Sequence, residues 1–367
     1  MDASGLRASI PGVERCTYLN WGSTGLGPRP VVEAVTDFVE RHRFSVPCED
    51  NPYSVAWDAK DDARAAVADL LGAESAEIAL TRSTVEGVNL VATAIPWEPG
   101  DVVVRTDLEH SAGVLPWDHL ADRHGVEVRV LETTNGRLDL DALAEAVADA
   151  RLLCLSSLTW NYGTRLRVSE AVDLAHDAGA QVLVDAVQAP GQVPVDVTEW
   201  GADFVAGSGH KWLLGPWGAG FCYVDRDALA TLEPSRIGYA SVVDSGERPV
   251  EFEPGAKRFE LGTTAVAPYV GLERAIELHQ AVGTDAVHSR IRDLAGRLAD
   301  GLGDRYLGPD PPESGLVSFT ADDPEATVER LAESGIKIRS LPHPSACRAS
   351  VHAVNTADEI DAVLSAL

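Results

Sequence analysis

Hydrophobic and polar positions follow a regular rhythm through the first part of the chain. Residues 31–44 (VVEAVTDFVERHRF) and 57–72 (WDAKDDARAAVADLLG) carry apolar side chains at helical spacing, and Gly72 closes the second segment. Short, mainly apolar runs follow at 78–80, 102–105, 126–131, 152–156, 181–185, 203–206 and 218–224, each long enough for a buried strand. Between them the helical pattern returns, in VEGVNLVATAI after Ser83-Thr84 and near 114–124, 140–149 and 167–178. Apolar strands alternating with amphipathic helices predict an α/β fold with a mostly parallel sheet covered on both faces.

After about residue 265 the texture changes. Two long helical patterns, 267–282 and 284–301, precede short strands at 316–320, 336–339 and 349–354, a helix at 325–334 and a last helix from Ala357. This reads as a smaller α+β domain. A chain of 367 residues exceeds one ordinary hydrophobic core. The expected division is an N-terminal segment (1–30) serving the active site and small domain, a large domain (31–266) and a small C-terminal domain (267–367). The stretch 308–314 reads as a surface loop.

Composition narrows the partners. Against 57 acidic residues stand 30 basic ones, a net charge of −27, and only four are lysines: Lys60, Lys211, Lys257 and Lys337. Such a surface repels phosphate backbones and anionic lipid, so neither nucleic acid nor membrane is an expected partner. Dense carboxylates also suit high salt, where counterions screen their repulsion, and a halophilic habitat is expected. The five cysteines (Cys16, Cys48, Cys154, Cys222, Cys347) form no CxxC pair, and no apolar leader precedes the first helix. Reduced thiols and a cytoplasmic location are the expectation. His119 and His124 are wrongly spaced for one helix face and no HExxH occurs, so no metal site is expected.

Ligands of open α/β sheets bind at the carboxyl ends of strands. Three such ends carry unusual polar groups. V-L-V-D-A-V-Q-A delivers Asp185 at a strand tip and Gln188 three residues on. F-V-A-G-S-G-H-K-W opens into Ser208, His210 and Lys211, a lysine that solubility does not explain in so lysine-poor a chain. Thr81 to Gly87 turns from strand to helix, where hydroxyls and free N–H groups can cradle a phosphate. An amine, a carboxylate and a phosphate cradle are the parts a pyridoxal 5'-phosphate (PLP) site needs.

The ordered pair D-A-V-Q-A and S-G-H-K resembles the class V aminotransferase superfamily, above all its cysteine desulfurase-like, selenocysteine lyase-like and isopenicillin N epimerase-like branches. The likeness runs from Y-L-N-W-G-S-T-G-L-G-P (18–28) to R-A-S-V-H-A-V-N-T (348–356). It implies the PLP-dependent transferase-like fold (aspartate aminotransferase fold type I), with 31–266 as the PLP-binding domain. It also implies an enzyme acting on a free α-amino acid through an external aldimine. Lys211 would hold PLP and shuttle the Cα proton, Asp185 would pair with the pyridine nitrogen, and Gln188 would bond the ring's phenolic oxygen. His110, in E-H-S-A-G-V-L-P-W, would stack on the ring. Ser83, Thr84, Ser208 and His210 match phosphate ligands, and Val85 stands where the family has a second threonine, offering only its N–H. Gly262 and Thr263, in F-E-L-G-T-T, match the segment that reaches a neighbour's phosphate, which implies a homodimer with shared active sites. Arg348 matches the arginine gripping the substrate carboxylate, and Arg339 a second active-site arginine.

Two departures limit the transfer. Desulfurases carry their sulfur-accepting cysteine on a loop between those two arginines, whereas here S-L-P-H-P-S-A-C joins them. Cys347, its sole cysteine, reads as a packed residue at a strand start, close to the substrate carboxylate. And where desulfurases read S-N-x-x-G, L-T-W-N-Y-G-T puts Trp160 or Asn161 against cofactor and substrate. The expected activity is therefore a desulfurase-like or carbon–sulfur (or carbon–selenium) lyase without the usual catalytic-cysteine loop. Transamination and epimerisation are the alternatives, a PLP-fold scaffold the non-enzymatic one. A nucleotide-binding dehydrogenase is disfavoured, because Trp212 stands where GxGxxG needs its third glycine.

Overall fold

The computed structural model describes all residues, Met1–Leu367. After a short N-terminal strand, β1 (Thr17–Tyr18), come β2 (Ile78–Thr81), β3 (Val102–Thr106), β4 (Glu127–Leu131), β5 (Leu152–Ser156), β6 (Gln181–Asp185), β7 (Phe204–Ser208) and β8 (Gly220–Val224). The last seven form one sheet in the order β2-β8-β7-β6-β5-β3-β4. All neighbours are parallel except β8, which runs antiparallel to both β2 and β7.

Strand periodicity divides the core. Val102, Val104, Leu153, Leu155, Val182 and Val184 face one apolar cluster. The intervening Val103, Leu152, Cys154 and Leu183 face a second, which Trp117 and the helix Thr84–Ala94 complete. The central strands β5, β6 and β7 are thus apolar on both faces because helices cover both, whereas the edge strand β4 carries Glu127 and Arg129 and is only partly buried. The helix Pro52–Leu71 has local reasons for its ends: Asn51 caps it by accepting from the Tyr53 N–H, Pro52 opens it, and Gly72 ends it at φ +71°.

The helix Ala267–Val282 belongs with this layer. It packs on Arg29–Phe44 and Pro52–Leu71, and its Tyr269, Leu272 and Ile276 join the large-domain core. The helix that follows the division expected at 266/267 thus packs on the large-domain helices, which an amphipathic pattern does not reveal, while its Ala275 and Leu278 meet Val287 and Ile291 of the next helix. Beyond Thr284–Leu302 lies the smaller unit, with β9 (Leu316–Phe319), β10 (Ile336–Lys337), β11 (Arg339–Leu341) and β12 (Ala346–Ser350). Its antiparallel sheet runs β11-β12-β9, while β10 pairs in parallel with β1.

The run expected at 336–339 is thus two strands in different sheets. The strand expected at 349–354 lies earlier, because residues after Ser350 form a turn in which Asn355 Oδ1 accepts from the His352 N–H. The N-terminal segment ties the units together: Asn20 bridges to Ser350, and β1 extends β10. No helix is long and apolar enough to cross a membrane.

Candidate active site

The carboxyl ends of β6 and β7, the start of Thr84–Ala94 and the β11–β12 hairpin converge on a cavity of about 230 Å³. At one end Ser83, extended at φ −168°, caps the helix by accepting from the Glu86 N–H. Thr84 Oγ1 donates to Ser208 Oγ at 3.1 Å, and Ser208 Oγ lies 3.1 Å from His210 Nδ1. Burial, helped by the Lys211 charge, draws His210 down to about 4, so its ring is neutral. Hydroxyls, a neutral imidazole and open helix N–H groups, Val85's included, make this an anion-binding end. The Val85 side chain itself is half exposed.

In the middle, Asp185 ends β6, and its carboxylate accepts only from the Val187 N–H, at 2.9 Å. Burial raises its pKa, partly offset by that bond and by Lys211. Lys211 lines the cavity without a hydrogen-bond or ion-pair partner in the chain. Burial draws its pKa down to about 8, with Asp185 opposing and Arg348 and Arg339 adding to the fall. Gln188 Nε2 donates to the Gly22 carbonyl at 3.0 Å, and its Oε1 accepts from Trp212 Nε1 at 2.8 Å. His110 starts the turn Ser111–Gly113 and meets Trp160 edge-on, ring centroids 5.4 Å apart. Its pKa is lowered by burial first and then by Lys211, Arg339 and Arg348.

At the other end Arg339 and Arg348 are register partners across β11–β12, so their side chains share a face. Arg348 donates to the Trp160 carbonyl (2.7 Å) and to Ser23 Oγ (3.3 Å), and its Nε is buried without a partner. Arg339 reaches the same Ser23 Oγ at 3.4 Å and lies 5.8 Å over the Trp160 ring. Burial, with Arg339 adding, pulls Arg348 down to about 9. No carboxylate of the chain pairs with Arg339, Arg348 or Lys211. A fully buried guanidinium without a counter-ion is costly and is held by a site built for an anion.

Most residues singled out from sequence therefore line one cavity: Ser83, Thr84, Val85, His110, Trp160, Asp185, Gln188, Ser208, His210, Lys211, Arg339 and Arg348. Three do not. Asn161, expected to touch substrate, instead donates to the His343 carbonyl at 3.1 Å and so braces the hairpin turn. One residue along an irregular loop was enough to turn it away from Trp160's side. Gly262 and Thr263 lie outside the cavity, beside Tyr239 and Trp57. Cys347, expected close to the substrate carboxylate, lies on the opposite face of β12 from Arg348, in the small-domain core. Strand alternation is the reason. Its Sγ is 3.5 Å from the Pro324 carbonyl, and burial raises the thiol to about 11.

Sequence reading missed Ser23, which both arginines share, although it lies in the quoted N-W-G-S-T-G run. It also passed over Glu109, one residue before His110. Glu109 is buried and accepts from Thr106 Oγ1, the Ser156 N–H and Ser156 Oγ at 2.7, 3.1 and 2.7 Å. Burial raises its pKa to about 7, with the bonds from Ser156 and Thr106 opposing and Asp185 adding. Its only signal was a carboxylate beside a candidate ring-stacking histidine.

The sequence profile described as aminotransferase class-V matches residues 17–363. The chain belongs to that family. Class V aminotransferases are PLP-dependent, and this chain is an enzyme of that kind with its α/β fold type I. It is similar to a probable cysteine desulfurase of Halobacterium salinarum, 34% identical with 100% of this chain and 96% of the relative covered. A probable cysteine desulfurase of Pyrococcus abyssi is 31% identical over 99% of this chain and 96% of its own. Among solved structures, the apo cysteine desulfurase of Thermococcus onnurineus NA1 superposes with TM-score 0.91 at 29% identity, covering 98% of this chain and 96% of that one. The cystine C–S lyase C-DES, solved with its reaction product cysteine persulfide, superposes with TM-score 0.92 at 30% identity, covering 97% and 98%.

The residues present fit PLP by charge. The buried Asp185 carboxylate has no cation paired to it, which suits a protonated ring nitrogen. The Ser83–Ser208–His210 end offers donors to a phosphate, and Lys211 offers an amine between them. The arginine pair remains for a second anion.

Proposed function

We propose that the chain binds PLP through these residues and cleaves the carbon–sulfur (or carbon–selenium) bond of a free α-amino acid, releasing the sulfur product without an enzyme-bound persulfide. The observation that carries the amino-acid substrate is Arg348: buried, uncompensated, and facing the cavity beside Arg339. A bidentate guanidinium complements an α-carboxylate, and Ser23 holds both arginines in register for it.

When bound, the cofactor supplies an electron sink for charge developing at the substrate Cα. The chain's own residues do the rest. Lys211 Nζ, drawn down to about 8, carries a free-base fraction near neutrality; it would hold the cofactor through its amine and, once released, would accept the Cα proton. Asp185 would favour a protonated ring nitrogen by its charge. The helix N–H groups, Thr84 and Ser208 would hold the phosphate, and His110 with Trp160 walls the cavity.

The reading of the reaction rests on Cys347 being buried, held in its thiol form by that burial and turned away from the cavity. Persulfide transfer needs an accessible thiolate. With cystine as substrate, one water enters and pyruvate, ammonia and cysteine persulfide leave, which balances atoms without an enzyme thiol. Incubating the PLP-loaded protein with cysteine, cystine and selenocysteine and identifying products tests this. Pyruvate with released sulfide or persulfide is expected. A keto acid with sulfur retained would make it a transaminase, and inverted amino acid an epimerase.

A homodimer is part of the same reading. Gly262 and Thr263 line a separate groove of about 530 Å³ with Phe38, Tyr53, Trp57 and Tyr239. That apolar wall and its phosphate-type residues suit a second copy completing its neighbour's site. Light scattering on the purified protein should give twice the chain mass.

A further inference from the structure

The Gln188 carboxamide is held from both sides. Indole Nε1 of Trp212 is a donor only, so the atom it meets at 2.8 Å must be the Gln188 oxygen. The Gly22 carbonyl is an acceptor only, so the atom it meets at 3.0 Å must be the Gln188 nitrogen. The two contacts assign the same orientation, and flipping the amide would break both. The oxygen faces Trp212, and the second N–H of Nε2, which has no partner in the chain, is left for the cavity that Gln188 lines.

Trp212 is itself fixed. It is fully buried, stacks on His352 with ring planes 17° apart, and accepts from His352 Nε2 at its carbonyl at 3.1 Å. A Cβ added at Gly315 would come within 2.9 Å of the indole, and one at Gly191 within 2.5 Å of the Trp212 backbone. Gln192 Nε2 donates to the Gln188 carbonyl at 2.5 Å and clamps the segment from behind.

We propose that Trp212 is a positioning residue: its indole N–H locks Gln188 with only donor hydrogens toward the cavity, so that the site selects the ionised form of the cofactor's ring oxygen. The inference rests on the PLP reading. Without the indole N–H only the Gly22 carbonyl opposes a flip, and a flipped carboxamide would turn its oxygen toward the cavity, where two acceptors facing each other disfavour the negative charge.

The test replaces Trp212 by β-(3-benzothienyl)alanine, which keeps the shape and removes the N–H, and separately makes Trp212→Phe. Each variant is titrated with PLP and its visible absorption followed against pH, with folding checked by circular dichroism. Expected is a shift of the absorption midpoint by about half a unit or more toward higher pH. PLP affinity is expected to weaken about three- to tenfold. In a Gln188→Leu background the same replacement is expected to add nothing. An unchanged midpoint with the benzothienyl residue overturns the proposal even if Trp212→Phe fails to fold, and so does an equal shift in the Gln188→Leu background. A wild-type protein that binds no PLP would instead overturn the proposed function, and this inference with it.

Discussion

Two buried charge clusters in this chain are built oppositely. Beneath the helix Pro52–Leu71, Glu260 lies between Lys60 and Arg64: it pairs with Lys60, takes Arg64 Nη1 at 2.5 Å, and accepts from the Leu80 N–H at 3.0 Å. Its two cations hold Glu260 below the usual carboxylate range although burial pushes the other way. At the cavity, Lys211, Arg339 and Arg348 gather with no carboxylate at ion-pair distance, Asp185 acting on Lys211 only from farther off, and burial lowers all three. The first cluster closes on itself and fixes the segment leading to Gly262. The second leaves its charges to a ligand, at a cost in stability. Lysine scarcity marks Lys60 as much as Lys211; motif context singled out Lys211, and the partner each one has gives the physical difference.

The largest effect expected from breaking this contrast is at Lys211. Lys211→Ala folds and retains PLP by its other contacts, loses the borohydride-reducible linkage, and drops turnover by at least ~10³-fold, since nucleophile and proton acceptor go together. Mass mapping that finds reduced PLP on Lys60, Lys257 or Lys337 would refute the assignment. Next come paired neutralisations. Glu260→Gln leaves buried Lys60 without a counter-ion and Arg64 with only the exposed Asp61, and is expected to cost about 3–5 kcal/mol by chemical denaturation. Arg348→Leu removes an uncompensated charge, so the apoprotein's melting temperature holds or rises while substrate KM climbs about a hundredfold. Equal destabilisation by both would erase the distinction.

Smaller effects sharpen it. Cys347→Ala keeps sulfur release within about tenfold of wild type, equivalent to roughly 1.4 kcal/mol of barrier; abolition of release with PLP binding intact, or a persulfide trapped on Cys347, would restore an ordinary desulfurase mechanism. The smallest is a pH effect at Glu109. Its folded pKa of about 7 exceeds the unfolded value, so the folded state holds more protons between roughly pH 4.5 and 7, and stability falls as pH rises through that window. Glu109→Gln flattens this slope in melting curves across the same range.

The sequence by itself determined the sheet and most of the chemistry, because both leave local signals. Buried parallel strands are apolar on two faces, so β5, β6 and β7 are legible as runs, and motif spacing set Asp185, Gln188 and Lys211 at their carboxyl ends. What only the tertiary structure decided is orientation and partnership. Whether Cys347 or Arg348 faces the cavity depends on which side of β12 meets the large domain, and a register set by β11 and β9 settles it. Asn161 and Trp160 are adjacent in the chain yet part ways in an irregular loop that no periodicity describes. Helix Ala267–Val282 announces an apolar stripe but not the sheet it covers. Most of all, no pattern of residues says whether a buried cation has an anion beside it, because ion pairs such as Lys60–Glu260 join positions far apart in the chain and exist only once the chain has folded.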